Sequence, residues 1–314
     1  FVTFHCLMNT IAICWPNAYN TICMFLGANW YALVASAGLA VFILIHIIDA
    51  FVLTVQNRRA RGSERYLISK TPKGVEWSSK NMLVLGIVIL AFLVVHLIQF
   101  WAKMQLQEIR GIEGAIPATA GTLFLQEAFG NNWTWIVYIV GFIALWFHMN
   151  HGFWSMFQSV GWDSTVWIPR LKCIAAWWTS IVVALFIAQC IVFTVKAHQG
   201  YYLTDENLRT QYKVMVSPAF DDFFGAGVSQ QIAAMPFEQY EEAVRGQYGQ
   251  MSNPQAQVYF AQDPKFPAML EFLEHQVALL DYLHSKDEAQ PVEEISIEAV
   301  QGGQDEATPA QHQH

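Results

Sequence analysis

Charge is scarce in this chain. Of its 314 residues only 13% are Asp, Glu, Lys or Arg, about half the share of a soluble globular domain. That shortage argues against a water-soluble enzyme. The basic residues are also too few for a nucleic-acid partner, and their one dense group lies between two apolar runs. The five cysteines, Cys6, Cys14, Cys23, Cys173 and Cys190, form neither a CxxC pair nor a CxxCH motif. They read as small apolar residues in or near lipid, with a Cys14–Cys23 disulfide on an outer loop as the alternative. There is no GxGxxG fingerprint and no cluster-binding cysteine run. No carboxylate precedes Asp49. The chain opens on Phe1 inside an apolar run, without a basic leader, and is expected to start partway through a longer product.

What is present in quantity is apolar: 54% of the residues are hydrophobic and 14% aromatic. Residues 1–198 hold 12 Lys and Arg against 7 Asp and Glu, and residues 199–314 hold 5 against 18. A net +5 followed by a net −13 joins two regions with different solvents. Crossing ~30 Å of hydrocarbon takes about 20 helical residues, and four runs suffice: Trp30 to Val55, Met82 to Ala102, Trp133 to Phe157 and Leu171 to Val195. Phe1 to Trp15 reads as the end of a fifth span, closed by Pro16-Asn17. The expected fold is all-α, a five-helix transmembrane bundle over residues 1–198. It is followed by an acidic helical extension (199–289) and a disordered tail (290–314).

Orientation follows from Lys and Arg, which resist translocation. Arg58, Arg59, Arg61, Arg65, Lys70, Lys73 and Lys80 join the second and third spans, and Arg170 and Lys172 join the fourth and fifth. The opposite loops carry only Lys103 and Arg110. Nine against two predicts the basic loops in the cytoplasm and the acidic extension outside. Trp30, Trp77, Trp101, Trp133, Trp135 and Trp162 near the span ends fit interfacial belts.

Each of the first four spans contains a histidine: His5, His46, His96 and His148, with His151 one turn further on. Imidazole in hydrocarbon is costly without a partner, so an intramembrane histidine is a functional candidate, though interhelical hydrogen bonding is the plain alternative. Depth distinguishes them. His46 lies 16 residues after Trp30 and His148 lies 15 after Trp133, both ~22–24 Å below the outer face. His96, 16 residues after Lys80, and His5, 11 before Pro16, fall in the outer half. Two levels about 15 Å apart result. Paired neutral imidazoles without carboxylate or thiolate neighbours suit the two axial positions of a haem iron better than a four-ligand zinc site. Small residues near the histidines, among them Gly38, Gly86, Ala91, Gly141 and Ala144, would leave room for a macrocycle, or serve helix packing. Arg58, Arg59 and Arg61 could meet propionates or merely set topology.

Three stretches carry a specific likeness: VFILIHIIDAFVLTVQNRRAR at 41–61, WSSKNMLVLGIVILAFLVVHLIQFW at 77–101 and WFHMNHGFWSMFQSVGW at 146–162. Over about residues 1–195 the chain resembles the single-chain, five-helix, di-haem cytochrome b anchor of succinate:quinone and fumarate:quinone oxidoreductases. The resemblance implies that His5 with His96 and His46 with His148 ligate two b haems. Phe147-His148 followed by Gly152-Phe153 matches the family pattern and selects His148 over His151. It also implies an iron–sulfur subunit and a flavoprotein subunit on the cytoplasmic face, with quinone in the membrane, menaquinone being the mild preference. The scarcity of carboxylates, and Trp146 ahead of His148, depart from relatives that move protons through the bundle. Asp49, one turn beyond His46, is a proton or hydrogen-bond group, or a structural Asp paired with a helix neighbour.

In the extension, Phe237, Tyr240, Val244, Tyr248 and Met251, then Leu270, Leu273, Val277, Leu280 and His284, have helical spacing and predict a hairpin. His275, His284, His312 and His314 read as solvated. The competing functions are a haem-free membrane anchor and a proton-linked transporter with buried histidines.

Overall fold

The computed structural model describes residues 1–27, 29–61, 76–112 and 114–286, with Arg61 described by its backbone only. The side chains of the basic loop from Arg61 to Lys73, the expected tail beyond residue 290, and His312 and His314 lie outside the described residues.

The membrane half is built from long apolar stretches whose prolines, Pro16 and Pro169, stand only in a first helical turn, and lipid leaves each backbone polar group no partner but its own helix. In chain order these are α1 (Val2–Cys14), α2 (Pro16–Gly27), α3 (Trp30–Arg61) and α4 (Trp77–His96), the last running into a π-helical turn, Leu97–Trp101. Two short helices, α5 (Gln105–Arg110) and α6 (Gly121–Phe129), precede α7 (Thr134–Ser159) and α8 (Trp167–His198). Among the described residues there is no strand. α3, α4 with its π turn, α7 and α8 are long and apolar enough to cross a bilayer, which makes the chain a multi-pass membrane protein. α1 is apolar but has 13 residues, so among the described residues there are four helices of spanning length, with a shorter apolar helix where the end of a fifth span was expected.

The segment after α1 departs from expectation too. α1 does end just before Pro16, as expected, but Pro16 then opens α2 and not a loop, because proline at the first helical position gives up an N–H that would have no helical partner anyway. Cys14 and Cys23 are both free thiols, so the alternative disulfide is absent. The connection between α4 and α7 is likewise no simple loop: eight of the nine residues of α6 are buried.

α7 is the axis of the bundle, packing on α8 and α4, while α8 also receives α1 and α6. Gly141 lets α4 approach α7, since a Cβ there would lie 2.5 Å from the Phe92 ring. It is therefore a packing glycine and not free space. α3 behaves differently. Its one extensive backbone contact is with α2, and none of its described side chains is buried.

The extension comprises α9 (Tyr201–Thr204), α10 (Glu206–Val216), α11 (Pro218–Phe224), α12 (Val228–Ala234), α13 (Phe237–Met251), α14 (Pro254–Tyr259) and α15 (Phe266–His284). The expected hairpin is α13 against α15, with Phe220 of α11 edge-on to Phe272 at 4.8 Å. A buried polar chain fastens it to the membrane half. Asn20 Oδ1 accepts from the Thr122 amide and hydroxyl, each at 2.9 Å, Thr122 Oγ1 meets the Tyr212 hydroxyl at 2.8 Å, and Asn20 Nδ2 donates to Gln211 Oε1 at 3.0 Å. His284 is not merely solvated, because its Nε2 lies 2.9 Å from Glu241 Oε2.

Candidate functional site

The four span histidines meet two by two. His5 on α1 faces His96 at the end of α4, with ring centroids 5.8 Å apart and planes at 83°. His46 on α3 faces His148 on α7 at 5.9 Å and 84°. The levels can be measured along α7, since Tyr138 of that helix touches His96 and His148 lies ten residues further on. At 1.5 Å per residue the pairs are stacked about 15 Å apart.

Each pair joins helices that do not otherwise pack extensively. α1 lies on α2 and α8, and α3 on α2, so the imidazoles reach across the space between α1 and α4 and between α3 and α7. An edge contact between two rings contributes only about 1 kcal/mol, too little to position a 32-residue helix with no buried side chain. Axial ligation of one metal has the matching dimension: two nitrogens, each about 2 Å from the ion, put the ring centroids roughly 6 Å apart. Among the described residues no group of three or more His, Cys, Asp or Glu is arranged to hold a metal ion, and each pair offers two imidazoles.

Hydrogen bonds surround the rings. The Asn9 amide donates to the His5 carbonyl at 2.8 Å and reaches His5 Nε2 at 3.3 Å, where it occupies the lone pair from which a metal would need to displace it. His96 Nδ1 lies 3.1 Å from the Tyr138 hydroxyl. His148 Nδ1 is buried without a hydrogen-bond partner, a costly state that a ligand on the ring would relieve at one nitrogen. A Cβ on Gly86 would sit 3.9 Å from His148 Cε1, and one on Gly38 would meet nothing within 4 Å. Gly86 is thus in ordinary packing distance of the His148 ring, and Gly38 is open, unlike Gly141.

The inner pair is bordered by charge. His151, beyond His148 on α7, holds Glu76 at 3.2 Å, and Lys172 of α8 reaches the other oxygen of that carboxylate at 2.7 Å. Burial alone would raise the Glu76 carboxyl, but Lys172 and His151 together hold it below the usual carboxylate range. His151 is thus engaged in a salt-bridged cluster and apart from the His46–His148 contact. Asp49 is exposed and makes no hydrogen bond or ion pair among the described residues, so the expected pairing with a helix neighbour is not found.

Sequence reasoning missed Tyr138, Gln99 and Asn9, the polar residues that meet the outer imidazoles. Asn9 and Gln99 stand four and three residues after His5 and His96, a helical spacing that could have marked them, whereas Tyr138 has no such signal. Comparisons with protein-family models, curated proteins and solved structures give no match.

Proposed function

We propose that this chain is the di-haem membrane anchor and electron-transfer subunit of a succinate:quinone or fumarate:quinone type oxidoreductase. The observation carrying the proposal is that four histidines from four helices pair at two depths, each pair bridging helices that lack extensive packing of their own. His5 and His96 would hold one b haem, and His46 and His148 the other. Bound haem would supply reversible one-electron chemistry at iron.

The protein's contribution is placement and environment. The histidine rings fix two sites on a line through the bundle. Apolar walls at the outer site, where Phe92, Phe100 and Phe186 surround the imidazoles, keep water from the ligands. Arg58 and Arg59, exposed at the end of α3, place positive charge on the side of the inner pair, where propionates would be met. The excess of Lys and Arg in the loops favours that side as cytoplasmic. An iron–sulfur subunit and a flavoprotein subunit would dock there, the extension would lie outside, and quinone, menaquinone by preference, would exchange electrons from the membrane.

The experiment is a dithionite-reduced minus oxidised spectrum of the detergent-purified chain, with haem extracted and counted. Low-spin b-type bands and two haems per chain are expected. A colourless, folded chain would overturn the reading in favour of a haem-free anchor or a transporter.

A further inference from the structure

We infer that Tyr138, oriented by Gln99, is a positioning residue that holds His96 in the Nδ1–H tautomer and so presents its Nε2 lone pair as the ligating atom. This rests on the di-haem reading.

Gln99 lies three residues after His96, on the same face of the polypeptide as it passes through the π turn. Thr134 and Tyr138, four apart on α7, form the facing strip, and both are buried. Gln99 Nε2 donates to Thr134 Oγ1 at 3.2 Å, which turns Gln99 Oε1 toward Tyr138. The Tyr138 hydroxyl donates to that oxygen at 3.0 Å. A phenol has one proton. With it committed to Gln99, the Tyr138 oxygen can only accept from the ring nitrogen 3.1 Å away, and that nitrogen is His96 Nδ1. Nδ1 must carry the hydrogen, and the lone pair of the neutral ring is left on Nε2.

Two consequences follow. The ring's orientation is fixed before any ligand arrives, which favours binding, because outer partners of metal-ligating histidines are typically worth 10–100-fold in affinity. Donation from Nδ1–H also makes the imidazole a stronger electron donor, which favours the oxidised metal and lowers the potential at the outer site.

The test compares Tyr138→Phe, Gln99→Leu and Gln99→Glu in the full chain, with haem content and a redox titration resolved into two components. Tyr138→Phe removes the acceptor. Gln99→Leu frees the phenol proton to turn toward His96 and favours the wrong tautomer. Gln99→Glu keeps an acceptor for the phenol. The first two should shift the outer component's midpoint upward and weaken its retention about 10–100-fold, leaving the inner component unmoved, whereas Gln99→Glu should retain the outer component. An unchanged outer component in Tyr138→Phe and Gln99→Leu would overturn the inference while sparing the di-haem reading. So would Gln99→Glu behaving like Gln99→Leu, or joint loss of both components, which reports collapse of the bundle. A wild-type chain without haem would overturn both.

Discussion

At the scale of the single residue, the histidines were legible and their supports were not. A polar ring in a run such as VFILIHIIDAF stands out because everything around it is apolar, and helical rise converts its position into a depth. Rise places His46 with His148 and His5 with His96 at shared levels but gives no azimuth, so that the paired rings face one another was not legible from spacing. Tyr138 and Gln99 were hidden because they are 39 residues apart and meet only when α7 packs on α4. That packing depends on Gly141. Replacing it with Ala drives a methyl group into Phe92 at 2.5 Å and should cost about 1–3 kcal/mol. The check is thermal unfolding in detergent, with Gly86→Ala, whose Cβ meets only His148 Cε1 at 3.9 Å, expected to stay near wild type.

Single elements show where pattern reading fails. The long spans were readable from length and apolarity, whereas α2 and α6 were not, being too short for spans, and α6 has no side-chain cap to announce it. Proline at position 16 follows the end of α1, as its stop signal suggested, and is also the start of α2. The α13–α15 hairpin was readable from its 3.6-residue period, but the ion cluster holding it was not: Arg245 bridges Glu241 at 2.9 Å and Asp281 at 2.8 Å, and His284 joins Glu241. Burial pushes the Glu241 carboxyl up, but Arg245 and His284 outweigh it and hold it below its ordinary value of 4.5. A lowered folded-state pKa stabilises the fold above that ordinary value, and the stabilisation is lost as pH falls through the lowered one. The hairpin should therefore loosen on acidification below about pH 4.5, followed by hydrogen exchange of α13 and α15. In Glu241→Gln this acid-dependent step should shrink, and an identical acid profile in the variant would refute the assignment.

Taken as a whole molecule, the chain consists of an apolar bundle and an acidic helical extension that share one continuous apolar core, from Leu123 and Phe193 to Tyr202, Leu208 and Leu283, with a few buried polar contacts beside it. The composition change near residue 198 announced two solvents, but the fastening through Asn20, Thr122 and Tyr212 joins positions 90 to 102 residues apart and has no sequence signature. Thr122→Val keeps the shape and removes the hydroxyl, and since Asn20 keeps the residue-122 amide and Tyr212 keeps the Tyr202 carbonyl, the loss should be about 0.5–1.5 kcal/mol. Limited proteolysis should then cut the extension free sooner than in wild type, and equal cleavage rates would contradict the role given to this contact. The central claim concerns pairing at two depths, and it is tested most directly by four single substitutions, His5→Ala, His96→Ala, His46→Ala and His148→Ala, each followed by haem counting and redox titration. The account predicts that haem falls from two to one in every variant, with His5 and His96 removing the same redox component and His46 and His148 removing the other. Haem content unchanged in any variant, or components lost in a different pairing, would contradict it.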